Sequence, residues 1–206
     1  MLRMLALRLP APPRRLRLPL AGAACALAVL GPVGCGGGDV SNPAGSAGGK
    51  LSYAYFQRCI QPILVAQLPR PSGNGTNTCA AGGCHDNVTG TGGALRIDPA
   101  ATVVNLDDAA NTPDVIRATA MYKNFYSAQG VTVPGAPMQS RLFQKPLLLN
   151  ILHGGGLIFP DQQDPNAQAI AFWISHPSPA GQDEFSTASN ALFTPADPMT
   201  GACNTQ

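Results

Sequence analysis

Charge is scarce in this 206-residue chain: Asp, Glu, Lys and Arg together make up 12% of it, about half the usual share of a soluble domain. Acid is absent before Cys35, and Arg3, Arg8, Arg14, Arg15 and Arg17 hold five of the 13 basic residues there. The formal +2 therefore hides a remainder, from residue 36 onward, with 8 basic and 11 acidic side chains and a balance of −3. Without a basic stripe there is no footprint for nucleic acid. The longest uncharged apolar run near the start, Leu18 to Leu30, is too short to span a bilayer. No Ser/His/Asp or paired-carboxylate constellation stands out. Asp107-Asp108 and Asp183-Glu184 are adjacent pairs in polar settings and read as solvated. The glycine-rich stretch from Thr89 to Pro99 lacks the Lys-Ser/Thr pair and the strand-then-helix setting of a phosphate loop.

Glycine (23) and proline (20) are plentiful instead. The length fits one domain plus terminal segments, and this composition points to a loop-rich fold in which a bound group supplies part of the core. Residues 1–34 read as an export signal: a basic start, an apolar run, then small residues before Cys35. Val33-Gly34-Cys35 is similar to the lipobox of bacterial lipoproteins, so Cys35 is the expected lipidation site. Pro32 departs from the leucine usual there, and the alternative is cleavage that leaves Cys35 a spare thiol. Residues 35–50 are a flexible Gly-rich tether, residues 51–177 the domain, and residues 178–206 a polar, Pro-rich irregular tail.

The most informative stretch is Cys79-Ala80-Ala81-Gly82-Gly83-Cys84-His85. Two thiols followed at once by an imidazole suit a covalent haem c, because both vinyl groups become thioethers and the next side chain reaches the iron. The usual spacer is two residues; here it is four, and Gly82 and Gly83 allow the backbone to turn. Two other chemistries use the same residues. Cys79 and Cys84 could close a small disulfide, or join His85 on a structural zinc, although zinc ligands are seldom sequence neighbours.

Around this motif the pattern predicts helices. Phe56, Ile60 and Leu64 share one helical face and Leu51, Tyr55 and Cys59 another, with Pro62 placed to kink or shorten the helix. Thr112-Pro113-Asp114 starts a helix running to about Ala128 and ending at Gly130, with Val115, Thr119, Tyr122 and Tyr126 on one face. A short helix follows Ser140, and the last helix opens at Asp164-Pro165 and buries Ile170, Trp173 and Ile174. The glycines after Thr89 read as backbone packed against a flat cofactor, with Leu95 and Ile97 covering it.

His85 takes one axial position on iron, and the other sets the redox character. His153 is the leading candidate because Gly154-Gly155-Gly156 lets backbone and imidazole press against a planar group. Met138, in a Pro-Gly-Ala-Pro-Met loop, is second. Met121 lies off its helical stripe, and His176 sits at a helix end where it can serve the negative terminus. A position with no protein ligand would allow peroxide or small-gas chemistry.

Taken together, the haem motif, Phe56…Ile60-Gln-Pro62-Ile-Leu, Gly92-Gly93-Ala-Leu-Arg-Ile-Asp98, Ser140-Arg-Leu…Lys145-Pro…His153-Gly-Gly-Gly and Phe172-Trp-Ile resemble bacterial monohaem cytochrome c domains related to the planctomycete-type group. The likeness covers Leu51 to Pro177. It implies a mainly α, loop-rich, cytochrome c-like helical domain wrapped around one covalent haem. Cys79 and Cys84 would be the thioether links, His85 the proximal ligand, and His153 would stand in the distal-ligand region, where the group often has methionine. Cys59 and Cys203 are then the pair left over, either disulfide-bonded or separate thiols. The resulting expectation is an electron carrier in the periplasm or at the outer membrane of a Gram-negative-type bacterium, held by a lipid anchor and serving redox partner proteins. It is not itself expected to be an enzyme. The alternatives are a haem enzyme or sensor with an open distal site, and a haem-free, disulfide-containing surface lipoprotein with a binding or structural role.

Overall fold

A computed structural model describes residues 49–206 apart from 71, 72 and 74. The expected signal, the tether up to residue 48 and Cys35 lie outside the described residues. The chain is helix-rich and mainly α, with two minimal two-stranded ladders. No helix among the described residues is long and apolar enough to cross a membrane.

The opening helix is the centre of the packing. It begins at Tyr53–Tyr55, passes through a π-helical turn at Phe56–Ile60 and continues as Gln61–Val65. Ser52 caps it, its Oγ accepting from Tyr55 N at 3.1 Å. Pro62 was expected to kink or shorten this helix, yet the helix runs through it. The wider turn comes just before Pro62, which thereby sits in the first turn of the final segment, where its missing N–H costs nothing. Residues on all sides are buried, which explains why two apolar faces show in the sequence. The polar member Gln57 is paired with backbone, giving to Val104 O and accepting from Val104 N, both at 3.1 Å.

The helix expected from Thr112 to Ala128 is two helices, Pro113–Arg117 and Ala120–Gln129. Thr119 breaks it by adopting an extended backbone and capping the second helix, its Oγ1 accepting from Tyr122 N at 3.1 Å. The break shifts the helical phase. Val115 and Tyr126 are exposed, while Met121, Asn124, Phe125 and Ala128 face the core.

The closing helix, Pro165–Ser175, is capped by the Asp164 carboxylate, which accepts from Asn166 N at 2.8 Å and Ala167 N at 3.3 Å. It buries Ile170, Trp173 and Ile174 as expected from their spacing. Trp173 Nε1 gives to Ser52 O at 2.9 Å, and Phe56 packs between Phe125 and Trp173 with ring centres 5.6 and 5.5 Å away. Three helices are thereby locked at one aromatic knot.

Residues 178–206, expected to be an irregular tail, pack against the domain and add Leu192 and Phe193 to its core. Thr187–Leu192 form a 3-10 turn, and Phe193–Thr194 pairs with Ala202–Cys203. Cys203 is disulfide-bonded to Cys59 of the opening helix, and Tyr55 OH donates to Asn204 O. Glu184, expected to be solvated, is buried: it accepts from Tyr122 OH at 2.7 Å and from Arg117 Nε at 3.1 Å. Local composition is polar here, but the partners that bury these residues are more than 60 positions away in sequence.

Candidate functional site

The stretch around the two thiols starts where the opening helix ends. Leu64 O, one of that helix's last carbonyls, accepts from Ala80 N at 3.1 Å and from Thr78 Oγ1 at 3.2 Å, so a helix terminus that needs partners fixes the approach to Cys79. Inside the loop, His85 N gives to Cys79 O at 3.0 Å and Cys84 N to Ala81 O at 2.9 Å, with Gly83 at φ +80° making the turn. The four-residue spacer is thus accommodated as a hydrogen-bonded coil. Asp86 then ends it, taking Val88 N and Thr89 N on one carboxylate oxygen at 2.9 and 2.6 Å.

His85 is held from both sides. A Cβ at position 92 would lie 2.6 Å from His85 Cε1 and 2.7 Å from Cys84 O, so only glycine fits against this imidazole. Its Nδ1 bonds Leu95 O at 3.2 Å. A carbonyl can only accept, so Nδ1 carries the proton and Nε2 is left with a free lone pair. Burial, reinforced by the positive charges of Arg96 and Lys145 and the neighbouring His153, holds this imidazole below its ordinary pKa and outweighs the carbonyl bond. His85 is therefore kept neutral, the state that binds a metal.

His153 repeats the arrangement on the other side. Its Nδ1 gives to Gly156 O at 2.8 Å, again leaving Nε2 free, and Gly156 makes the return at φ +74°. A Cβ at position 155 would stand 3.1 Å from His153 Cε1, so Gly155 lies against this ring as Gly92 lies against the other. The two imidazoles come from loops 68 positions apart, yet their ring centres are 6.2 Å apart and their planes differ by 16°.

Both histidines line two adjoining cavities of about 720 and 1130 Å³, counting the space at their open mouths. The first is walled by Leu64, Leu95, Val131, Leu142, Phe159 and Ile170; the second adds Cys84 and Gly154-Gly155. Cys79 lines both. Cys79 and Cys84 are free thiols, so the small disulfide between them is not formed. Burial, with Cys84 beside it, pushes the Cys79 thiol up to about 11, which keeps it protonated rather than a thiolate. Among the described residues no three His, Cys, Asp or Glu side chains gather as a metal-holding cluster.

Other expected residues fall elsewhere. Met138 is exposed and lines a different groove beside His176, so it is not brought to this site. Met121 is buried in the core. His176 Nδ1 gives to Phe172 O at 2.8 Å, serving the closing helix's last turn. Ile97 is in the core and does not line the cavity, whereas Leu95 does. Sequence reasoning missed the two carbonyl acceptors, Leu95 O and Gly156 O, which carry no side-chain signal. It also missed Arg141 and Lys145, which reach the cavity from the short helix Arg141–Gln144 and its C-cap.

No protein-family model, no curated protein and no solved structure matches the chain.

Proposed function

We propose that this protein is a monohaem c-type cytochrome that carries single electrons, with Cys79 and Cys84 as the thioether links, His85 as one axial ligand and His153 as the other. The observation that carries this reading is the pairing of His85 and His153. Two imidazoles sharing one ion through Nε2 hold their ring centres about 6.3 Å apart, given bonds of about 2.0–2.1 Å and a ring centre roughly 1.1 Å behind each nitrogen. The separation here is 6.2 Å, and each Nδ1 is already committed to a backbone carbonyl, which leaves the Nε2 of each ring for the ion. The free thiols beside His85 and the apolar cavity wall fit the same group.

A bound haem supplies the one-electron chemistry. What the chain itself does is hold two imidazoles in fixed orientation, exclude water with Leu64, Leu95, Leu142 and Phe159, and limit access to the cavity mouth. Two protein ligands favour electron transfer over an open position for small gases. The Cys59–Cys203 disulfide supports an oxidising compartment and hence export. Anchoring through Cys35, with redox partner proteins reached from a tethered domain, completes the proposal.

The test is spectroscopic. Protein made in cells competent in cytochrome assembly should give a low-spin, six-coordinate haem c spectrum that carbon monoxide does not perturb. His153→Ala should become open to carbon monoxide. An unchanged low-spin spectrum in that variant would reject the His153 assignment, and colourless protein would reject the whole reading.

A further inference from the structure

The cavity has a charged edge that the ligand assignment does not use. Arg141 and Lys145 both line it, and no Asp or Glu among the described residues does. The two cations are one helical turn apart, Lys145 N giving to Arg141 O at 3.1 Å, a spacing at which like charges repel. Neither makes an ion pair among the described residues. Arg117, by contrast, pairs with Asp114, Asp183 and Glu184. Lys145 is half-buried against the cavity while Arg141 stands exposed at its edge. Two like charges held at the lip of an apolar cavity, with no carboxylate from the chain, define a site for a doubly anionic group.

We infer that Arg141 and Lys145 take the two carboxylates on the rim of the haem itself, and so set the orientation of the group within the cavity; this rests on the haem reading above. Cations paired to these carboxylates keep them ionised, so their protonation stays out of the neutral range and does not couple to the iron.

The experiment is a redox titration of haem-loaded protein across neutral pH, comparing the natural chain with Arg141→Gln plus Lys145→Gln and with Lys145→Arg. The natural chain should show a potential that does not change with pH. The double variant should have a lower potential that falls as pH rises, because its unpaired carboxylates lose protons near neutrality and then favour the oxidised iron. Lys145→Arg should behave as the natural chain. A double variant that titrates identically to the natural chain would overturn the inference. So would a shift of the natural chain's potential on adding inorganic phosphate at constant ionic strength, since the pair would then be open to free anions. Intact mass of the same samples separates the two claims: bound haem with unchanged titrations sinks only this inference, whereas absence of haem removes the reading beneath it as well.

Discussion

The two ends of the opening helix are finished by different means. At its start, Tyr53 packs edge-on against Phe125 and Phe185, Glu184 is tied to Arg117 and Tyr122, and further along the helix Cys59 is bonded to Cys203. There the chain satisfies itself with its own side chains. At its far end, Leu64 opens onto a cavity with apolar walls and few polar side chains: glycines lie against two imidazoles, backbone carbonyls fix their tautomers, and two cations have no ion-pair partner among the described residues. Stability is concentrated at the first end and chemistry at the second, so substitutions at each should be separable in what they change.

The largest separation should come from the disulfide. Replacing Cys59 and Cys203 by Ser opens a loop with a sequence separation of 144, which in the chain-entropy account is worth about 5 kcal/mol. Denaturant unfolding should show that loss while the native haem spectrum is unchanged. A spectrum that altered with it would join the two ends.

Next is Glu184→Ala, which takes the acceptor away from Tyr122 OH and from Arg117, the latter keeping Asp114 and Asp183, and should cost about 2–3 kcal/mol in unfolding experiments. Burial pushes the Glu184 carboxyl up, but the bonds from Tyr122, backbone and Arg117 outweigh it and the net displacement is downward. A carboxyl with a lower folded than unfolded pKa adds stability that is present above the unfolded value and lost as pH falls through the folded one. The natural chain should therefore weaken below about pH 4.5, and Glu184→Gln should flatten that limb. An identical acid limb in both would contradict the assignment.

Smaller in stability, but aimed at the other end, is Gly92→Ala. Its methyl would meet His85 Cε1 at 2.6 Å and must displace ring or backbone, at a cost of about 2 kcal/mol. Here the haem spectrum should change along with stability. Gly155→Ala is the mildest: its Cβ would stand 3.1 Å from His153 Cε1, so stability should shift by under about 1 kcal/mol while the ease of displacing His153 by carbon monoxide rises.

The contrast between ends also governs what could be read from sequence. The site was legible because its signals are local: a Cys-Cys-His run, and a histidine next to three glycines. The finished end was not, because its partners are remote. Nothing near Glu184 announces Tyr122 or Arg117, and a polar, Pro-rich composition looks the same whether or not Phe185 and Asn204 find partners in the helices. Thr119 misled for a related reason. On a helical wheel it extends the Val115–Tyr122 stripe, but a threonine can cap as well as propagate, and here it caps. Arg141 and Lys145 were missed because a cation at helical spacing reads as a solvated face until the cavity beside it is seen.

The most direct measurement of the central claim is the intact mass of denatured protein purified from cells competent in cytochrome assembly. The account predicts one haem retained through denaturation by the natural chain, and a haem not fully retained when Cys79 or Cys84 is replaced by Ser. A natural chain whose denatured mass carries no haem would contradict it.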